Sequence, residues 1–209
     1  MTELILIRHG ETAWNRERRM QGQTDTPLSD IGLAQARAVG QRLARQSFAA
    51  IYSSDLKRAW DTAQAIATAS GHEVVSAPGL RERTFGIFEG LTYEEMTQRY
   101  PAEHARFSQR EPDYAVPGGE SPRAFFERSL ACLEDIAGAH TGETVVAVTH
   151  GMVLDTLYRA AHRMPLQERR EAPLLNASLN TFRREPQAWV EVAWADVEHL
   201  AKVGVTRFF

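Results

Sequence analysis

Two histidines occupy equivalent places in this chain. Glu3-Leu4-Ile5-Leu6-Ile7 runs into Arg8-His9-Gly10, and Glu143-Thr144-Val145-Val146-Ala147-Val148 runs into Thr149-His150-Gly151. Each is a short run of branched apolar residues halted by glycine, the pattern of a strand buried on both faces. In open α/β sheets ligands bind beyond the carboxyl ends of the strands, so both imidazoles and the Arg8 guanidinium are delivered to that edge. A single histidine there can be no more than a polar cap, but the device occurs twice. If the strands are neighbours in one parallel sheet, their axes lie about 4.8 Å apart, a spacing that suits gripping one small group.

A second cation joins them. After Phe48–Tyr52, read as a strand, Ser53-Ser54-Asp55 can cap a helix whose first turn carries Lys57 and Arg58. Cations at a helix N-terminus oppose its dipole, at a cost of roughly 0.3 to 1 kcal/mol each. Local stability therefore does not account for Arg58; a solvated surface position is one explanation. The functional one is that it points back over the strand ends and adds a fork of donors fitting a phosphate. Zinc is a poor competitor, because catalytic zinc usually takes three protein ligands and two arginines would repel a dication. A serine or cysteine nucleophile is no better: Gly-x-Ser-x-Gly does not occur, and Cys132 lies inside a helical pattern. A phosphate or sulfate ester fits best.

The elements that must position these groups follow an α/β rhythm. A polar loop runs from Glu11 to Thr26; Ser29 caps a helix reaching about Gln46, with Leu33, Ala36, Val39, Gly40 and Leu43 on one face. A third strand is expected at Glu73–Ala77. Strand–helix alternation implies a parallel sheet with right-handed crossovers. From Pro78 to Glu120 the rhythm breaks: a short helix capped by Thr92 with Glu95 as its capping-box partner ends at Tyr100-Pro101, and another spans Ala102 to Arg110. Phe85, Phe88, Tyr93, Tyr100 and Phe107 argue against disorder here, so the segment reads as a lid over the strand ends. Ser121-Pro122 starts a helix burying Phe125, Ser129, Cys132, Leu133 and Ile136. Ser178–Arg183 and Trp189–Trp194 alternate with period two around Glu185-Pro186-Gln187, a hairpin joining the sheet edge. The expected architecture is a three-layer α/β/α sandwich: one domain over 1–209, a mostly parallel sheet with an antiparallel edge strand, and a lid insertion at about 78–120.

Composition narrows the partners. The 209 residues are 43% apolar with net charge −3 and only two lysines, Lys57 and Lys202, which argues against a nucleic-acid surface. A lone cysteine excludes an internal disulfide framework and reads as a small buried hydrophobe. No run approaches a membrane span or a signal-peptide core, so a cytoplasmic location is expected. Nothing in the sequence decides between a monomer and a homodimer.

Arg8-His9-Gly10-Glu11-Thr12 with Trp14-Asn15 resembles the signature of the histidine phosphatase superfamily, which includes the cofactor-dependent phosphoglycerate mutases. The likeness continues, in the family's order, through Ser53-Ser54-Asp55-Leu56-Lys57-Arg58-Ala59, Leu80-Arg81-Glu82-Arg83, Gly118-Gly119-Glu120-Ser121 and Thr149-His150-Gly151. The resemblance implies that His9 accepts the phosphoryl group, that Arg8, Arg58 and His150 hold its oxygens, and that Glu82 donates the proton. It also implies substrate contacts at Asn15, Gln21, Gly22, Phe85, Gly151 and Met152, with neither metal nor other cofactor.

Within that resemblance the choice is between hydrolysis and mutase-type transfer. The resembling mutases carry basic residues in the lid, whereas Thr84–Glu120 holds seven acids against three arginines, a balance of −4. Met152 follows His150-Gly151 where the mutases carry a polar residue. The expectation is a phosphatase for small monoesters with a largely neutral or apolar leaving group, contacted by Phe85, Tyr93 and Met20. The alternatives are a mutase-type transferase and a non-catalytic phospho-ligand-binding module, which has no need of an intact His9, Arg58, Glu82 and His150 set.

Overall fold

The structure is a computed structural model describing residues 1–204 and, for the backbone alone, 207–208. The two histidine-bearing runs are strands β1 (Thr2–Arg8) and β4 (Thr144–Thr149), paired in parallel from Glu3 opposite Thr144 to Arg8 opposite Thr149. Next to β4 lies β2 (Ala50–Ser53) and beyond it β3 (Val74–Ser76), both parallel. The hairpin β6 (Leu179–Arg184) and β7 (Trp189–Asp196) is antiparallel, with β6 against β1, giving the order β3-β2-β4-β1-β6-β7. The antiparallel part is thus the hairpin expected at the sheet edge.

Helices cover both faces. On one, α2 (Asp30–Leu43) and α3 (Lys57–Ser70) bury Val39, Leu43, Ala63 and Ile66 against Ile5, Ile7, Val146 and Val148. On the other, α6 (Pro122–Ala139) and α7 (Gly151–His162) bury Phe125, Leu133, Val153 and Leu157 against Leu4, Leu6, Val145 and Ala147. Alternate residues of β1 and β4 feed opposite cores, as the period-two geometry of a strand dictates. These are the three layers expected. Because β1 leads to α2 on one face and β4 to α7 on the other, a crevice opens between adjacent strand ends.

Three local expectations need correction. The Glu11–Thr26 loop contains a helical turn, α1 (Ala13–Arg16), because Thr12 and Asn15 form a reciprocal capping box. Helix α3 is not capped by Ser53-Ser54-Asp55: Asp25 reaches in from that loop, its Oδ1 accepting from the Lys57 N–H at 2.7 Å, while Asp55 pairs with Arg81. A carboxylate of the chain itself thus sits at the helix start. Cys132 is half-buried rather than buried.

The 78–120 segment carries α4 (Tyr93–Arg99), with the Thr92–Glu95 capping box as expected, and α5 (Pro101–Ser108). Its aromatics pack on one another, with Phe85, Phe88, Met96 and Val116 buried around Met20 from the α1 loop. A two-residue strand, β5 (Leu174–Leu175), pairs with β8 (Arg207–Phe208).

Candidate active site

His9 follows β1 with its backbone N–H still bonded to Thr149 O (2.9 Å), so it stays abreast of β4. Its ring lies 5.2 Å, centroid to centroid, from that of His150. His9 Nδ1 lies 2.7 Å from Gly10 O, an acceptor only, so Nδ1 carries the hydrogen and Nε2 is left with its lone pair. Arg58 Nε faces that lone pair at 3.3 Å. The loop holding His9 needs Gly10 and Gly32, because a Cβ on Gly10 would stand 2.5 Å from Gly32 O and one on Gly32 2.0 Å from Glu11 O.

Arg58 is fully buried, its terminal nitrogens donating to Thr24 O (2.9 Å) and Gly22 O (2.7 Å). It does not hang in solvent, and that explains the unfavourable place in the first turn of α3. Arg8 donates Nη1 to Leu174 O at 2.8 Å. Burial pulls both guanidinium groups down to about 10, which leaves them cationic at neutral pH. Burial, then the charges of Arg58 and Arg8, drives His9 well below the ordinary histidine range; burial and Arg58 lead the same shift in His150. Both imidazoles are therefore neutral. Glu82 accepts from the Arg83 N–H (2.8 Å) and the Met152 N–H (3.2 Å), yet burial outweighs those bonds and raises its carboxyl.

His9, Glu82, Arg8, Arg58, Asn15, Gln21, Gly22, Phe85, Gly151 and Met152 line one cavity of about 450 Å³, together with Met20 and Tyr93. His150 lies just behind the wall, wholly buried, with Nε2 on Ser54 Oγ at 2.8 Å and Nδ1 unpartnered. Asn15 Nδ2 is a second buried, unpartnered donor at the wall. Among the described residues no three His, Cys, Asp or Glu side chains converge as a metal site.

Sequence reasoning missed several contributors. Asn176 donates to His9 O (3.0 Å) and Asn15 Oδ1 (3.2 Å), fixing the loop from behind. Ser54, read as a helix cap, is instead drawn to His150. The charge count over Thr84–Glu120 also misleads. Of those acids, Glu89 accepts from the N–H groups of Gln23, Thr24 and Phe85; Glu95 and Asp113 pair with Arg19 and Arg123; and Glu120 pairs with Arg128. Meanwhile Arg83, Arg159, Arg169 and Arg170, all outside that window, join Arg110 at the cavity wall. The cavity wall is therefore rich in arginine as well as in the Phe85, Tyr93 and Met20 side chains expected to contact the leaving group. A retrievable signal was Asp155 and Arg159, an acid and a base four apart in the helical pattern, both on the buried side of α7.

Two neutral imidazoles, two buried arginines and a buried carboxyl at the carboxyl edge of an α/β/α sheet are chemically suited to a phosphate ester. Residues 4–197 match the model of the histidine phosphatase superfamily (branch 1), and the chain belongs to that superfamily. It is 43% identical over 207 residues to the metal-independent phosphoserine phosphatase of Arabidopsis thaliana, covering 98% of this chain and 85% of the relative. It is 41% identical to phosphoglycerate mutase-like protein 4 of the same plant, covering 97% and 88%. Among solved structures, the phosphoserine phosphatase of Entamoeba histolytica in complex with phosphoserine superposes with a TM-score of 0.85 at 33% identity, covering 96% of this chain and 100% of that one. The activity class of the protein is phosphate monoester hydrolysis.

Proposed function

We propose that the protein hydrolyses small phosphate monoesters in two transfers through His9, with Glu82 moving the proton. The observation that carries this reading is the His9 ring: Nδ1 is tied to Gly10 O, so Nε2 presents a neutral lone pair to a cavity flanked by two arginines and a buried carboxyl. In the first transfer Nε2 attacks phosphorus, the ester P–O bond breaks, and protonated Glu82 gives its proton to the departing oxygen. In the second, water attacks phosphorus, Glu82 takes its proton, and the P–N bond breaks to release phosphate and neutral His9. Arg58 Nε must leave the nucleophile for a phosphoryl oxygen, a shift that frees the lone pair as it neutralises charge. Arg8 and the unpartnered donors of His150 and Asn15 supply further contacts to those oxygens, and Gln21, Gly22, Phe85, Gly151 and Met152 shape the pocket.

The 78–120 segment, with its own apolar cluster, supports the reading of a lid on a single domain. No helix among the described residues is long and apolar enough to cross a membrane, which accords with a cytoplasmic site of action. Rapid alkaline quench during turnover of a labelled phosphomonoester, with chelator present, is expected to trap phosphate on His9 and to release inorganic phosphate at the steady-state rate. Turnover with no label on His9 would sink the mechanism, and label passing to a second alcohol without phosphate release would favour the mutase alternative.

A further inference from the structure

Glu89 spends its carboxylate on uncharged donors. It follows the helical turn Gly86–Phe88, and the backbone beside it is stitched to the α1 loop: the Gly90 N–H bonds Met20 O at 2.8 Å and the Met20 N–H bonds Leu91 O at 2.9 Å. Oε1 accepts from the N–H groups of Phe85 (2.9 Å) and Gln23 (3.2 Å), and Oε2 from the Thr24 N–H (3.0 Å) and the Thr24 hydroxyl (2.6 Å). A carboxylate accepts at both oxygens and donates at neither, so it can take donors on both sides in this way, and its charge strengthens each bond.

The loop that Glu89 grips is the one that holds Arg58. The two terminal nitrogens of Arg58 donate to Thr24 O (2.9 Å) and Gly22 O (2.7 Å), so the short 22–24 loop has Glu89 on its N–H groups and the guanidinium on its carbonyls. With both ends of the fork fixed, the loop sets the plane of the guanidinium and the place of Nε, 3.3 Å from His9 Nε2. The loop is also shaped to the carboxylate. Gly22 has φ +56°, which favours glycine, and a Cβ there would stand 2.0 Å from Glu89 Oε1. Gly22 and Arg58 line the cavity, and Glu89 lies behind them. Its charge, with those of Glu82 and Asp25, opposes the effect of burial on Arg58.

We infer that Glu89 is a positioning residue for Arg58: held in the 78–120 segment, it fixes the carbonyls that aim the guanidinium and so sets affinity for the phosphoryl group without touching it. The inference rests on the assignment of Arg58 to the phosphoryl oxygens.

The test uses Glu89→Gln, which keeps the shape but removes the charge and turns one acceptor into a donor. Two quantities are read: exchange of the Arg58 Nε–H with water by NMR, the signal being assigned by its loss in Arg58→Lys, and the Kd for orthovanadate by calorimetry. Glu89→Gln is expected to speed exchange and weaken vanadate binding, each by about tenfold. Thr24→Val, which removes only the exposed hydroxyl bond, should move both the same way by about two- to threefold, and it decides the matter if Glu89→Gln does not fold. The control is Glu95→Gln, which loosens the same segment at Arg19 (2.7 Å) without reaching the 22–24 loop and should leave both within about twofold. Either quantity unchanged in Glu89→Gln, or moved as far by Glu95→Gln, would overturn the inference. Vanadate bound as tightly by Arg58→Lys as by the unaltered protein would instead remove Arg58 from the phosphoryl oxygens; the Nε–H exchange alone then decides whether Glu89 holds the guanidinium.

Discussion

His9 and His150 share an electrostatic setting, but the proposed mechanism gives them opposite tasks, and their hydrogen bonds separate them. For His9 the Gly10 carbonyl puts the proton on Nδ1 and bares Nε2 for attack. For His150 the partner is a hydroxyl. Ser54 Oγ already accepts from the Leu56 N–H at 3.3 Å, so its own hydrogen is available to His150 Nε2 at 2.8 Å. With that hydrogen given to Nε2, the imidazole hydrogen sits on the unpartnered Nδ1, where the proposed mechanism uses it as a donor for a phosphoryl oxygen. Nitrogen-15 spectra are expected to show neutral His150 protonated on Nδ1, with Ser54→Ala moving it toward Nε2–H and weakening vanadate binding about tenfold, the worth of one hydrogen bond. Protonation on Nε2 in the unaltered protein would refute the assignment. The two proton-linked groups of the mechanism also bound its pH range. Activity falls on the acid side as His9 takes a proton, well below 6.5, and on the alkaline side as Glu82 loses one above the ordinary carboxyl range. Glu82→Gln is expected to abolish the alkaline limb and to slow alkyl phosphates far more than an ester whose leaving group needs no proton. An unchanged profile in that variant would remove Glu82 from the role.

At the scale of elements, β1 is held in place by a segment distant in sequence. Leu174 O receives Arg8, Asn176 reaches His9 O, and the Ala177 N–H bonds Arg8 O at 2.9 Å. That segment is anchored through Asp155 on α7, which bonds Arg159 and Arg170; Arg159 reaches Pro165 O and Glu168 O (2.9 Å), and Arg170 reaches Ala172 O (2.7 Å). Asp155→Ala leaves Arg159, 4% exposed, without its carboxylate, and losing one partner of a buried pair costs about 3–5 kcal/mol. A urea midpoint unchanged by this substitution would show the anchor to be unnecessary. The strands β1 and β4, helix α6 with its Ser121-Pro122 start and the hairpin were legible because each announces itself within a dozen residues through period, cap or turn. The anchor was not legible, since β5 is two residues long and its work is done by the Leu174 carbonyl and by the N–H donors of Asn176 and Ala177, whose partners lie more than 150 residues away. Arg58 and Glu82 lie between these cases: their chemistry is visible in the sequence, but their burial and aim are not. For the charge of the cavity, a linear window was the wrong instrument, because Arg83, Arg159, Arg169 and Arg170 lie outside it and reach the cavity wall only through the fold.

For the molecule as a whole, net charge says little; where the charges lie matters more. The chain is −3 overall, yet eight arginines line one cavity, a field that steers anionic ligands inward and that salt screens. The same concentration of positive charge has a consequence for stability. In the unfolded chain His9 and His150 titrate near 6.5, whereas in the folded protein burial and Arg58 hold both well below it. Below about 6.5 the unfolded state therefore binds protons that the folded state refuses. Their contribution is whole above that pH and is lost as pH falls through the window down to the depressed folded values. Each histidine gives at most about 1.4 kcal/mol per pH unit. Glu82 works in the other direction, since its raised carboxyl keeps a proton that the unfolded chain gives up above its ordinary range. The histidines are two and Glu82 is one, so stability from urea unfolding is expected to fall between pH 7.5 and 5.5. The slope should become shallower in His150→Asn, which removes one of the two protons, and steeper in Glu82→Gln, which removes the opposing one. Equal slopes in all three proteins would mean that these buried groups keep their ordinary titration, and the neutral nucleophile would lose its electrostatic basis along with them.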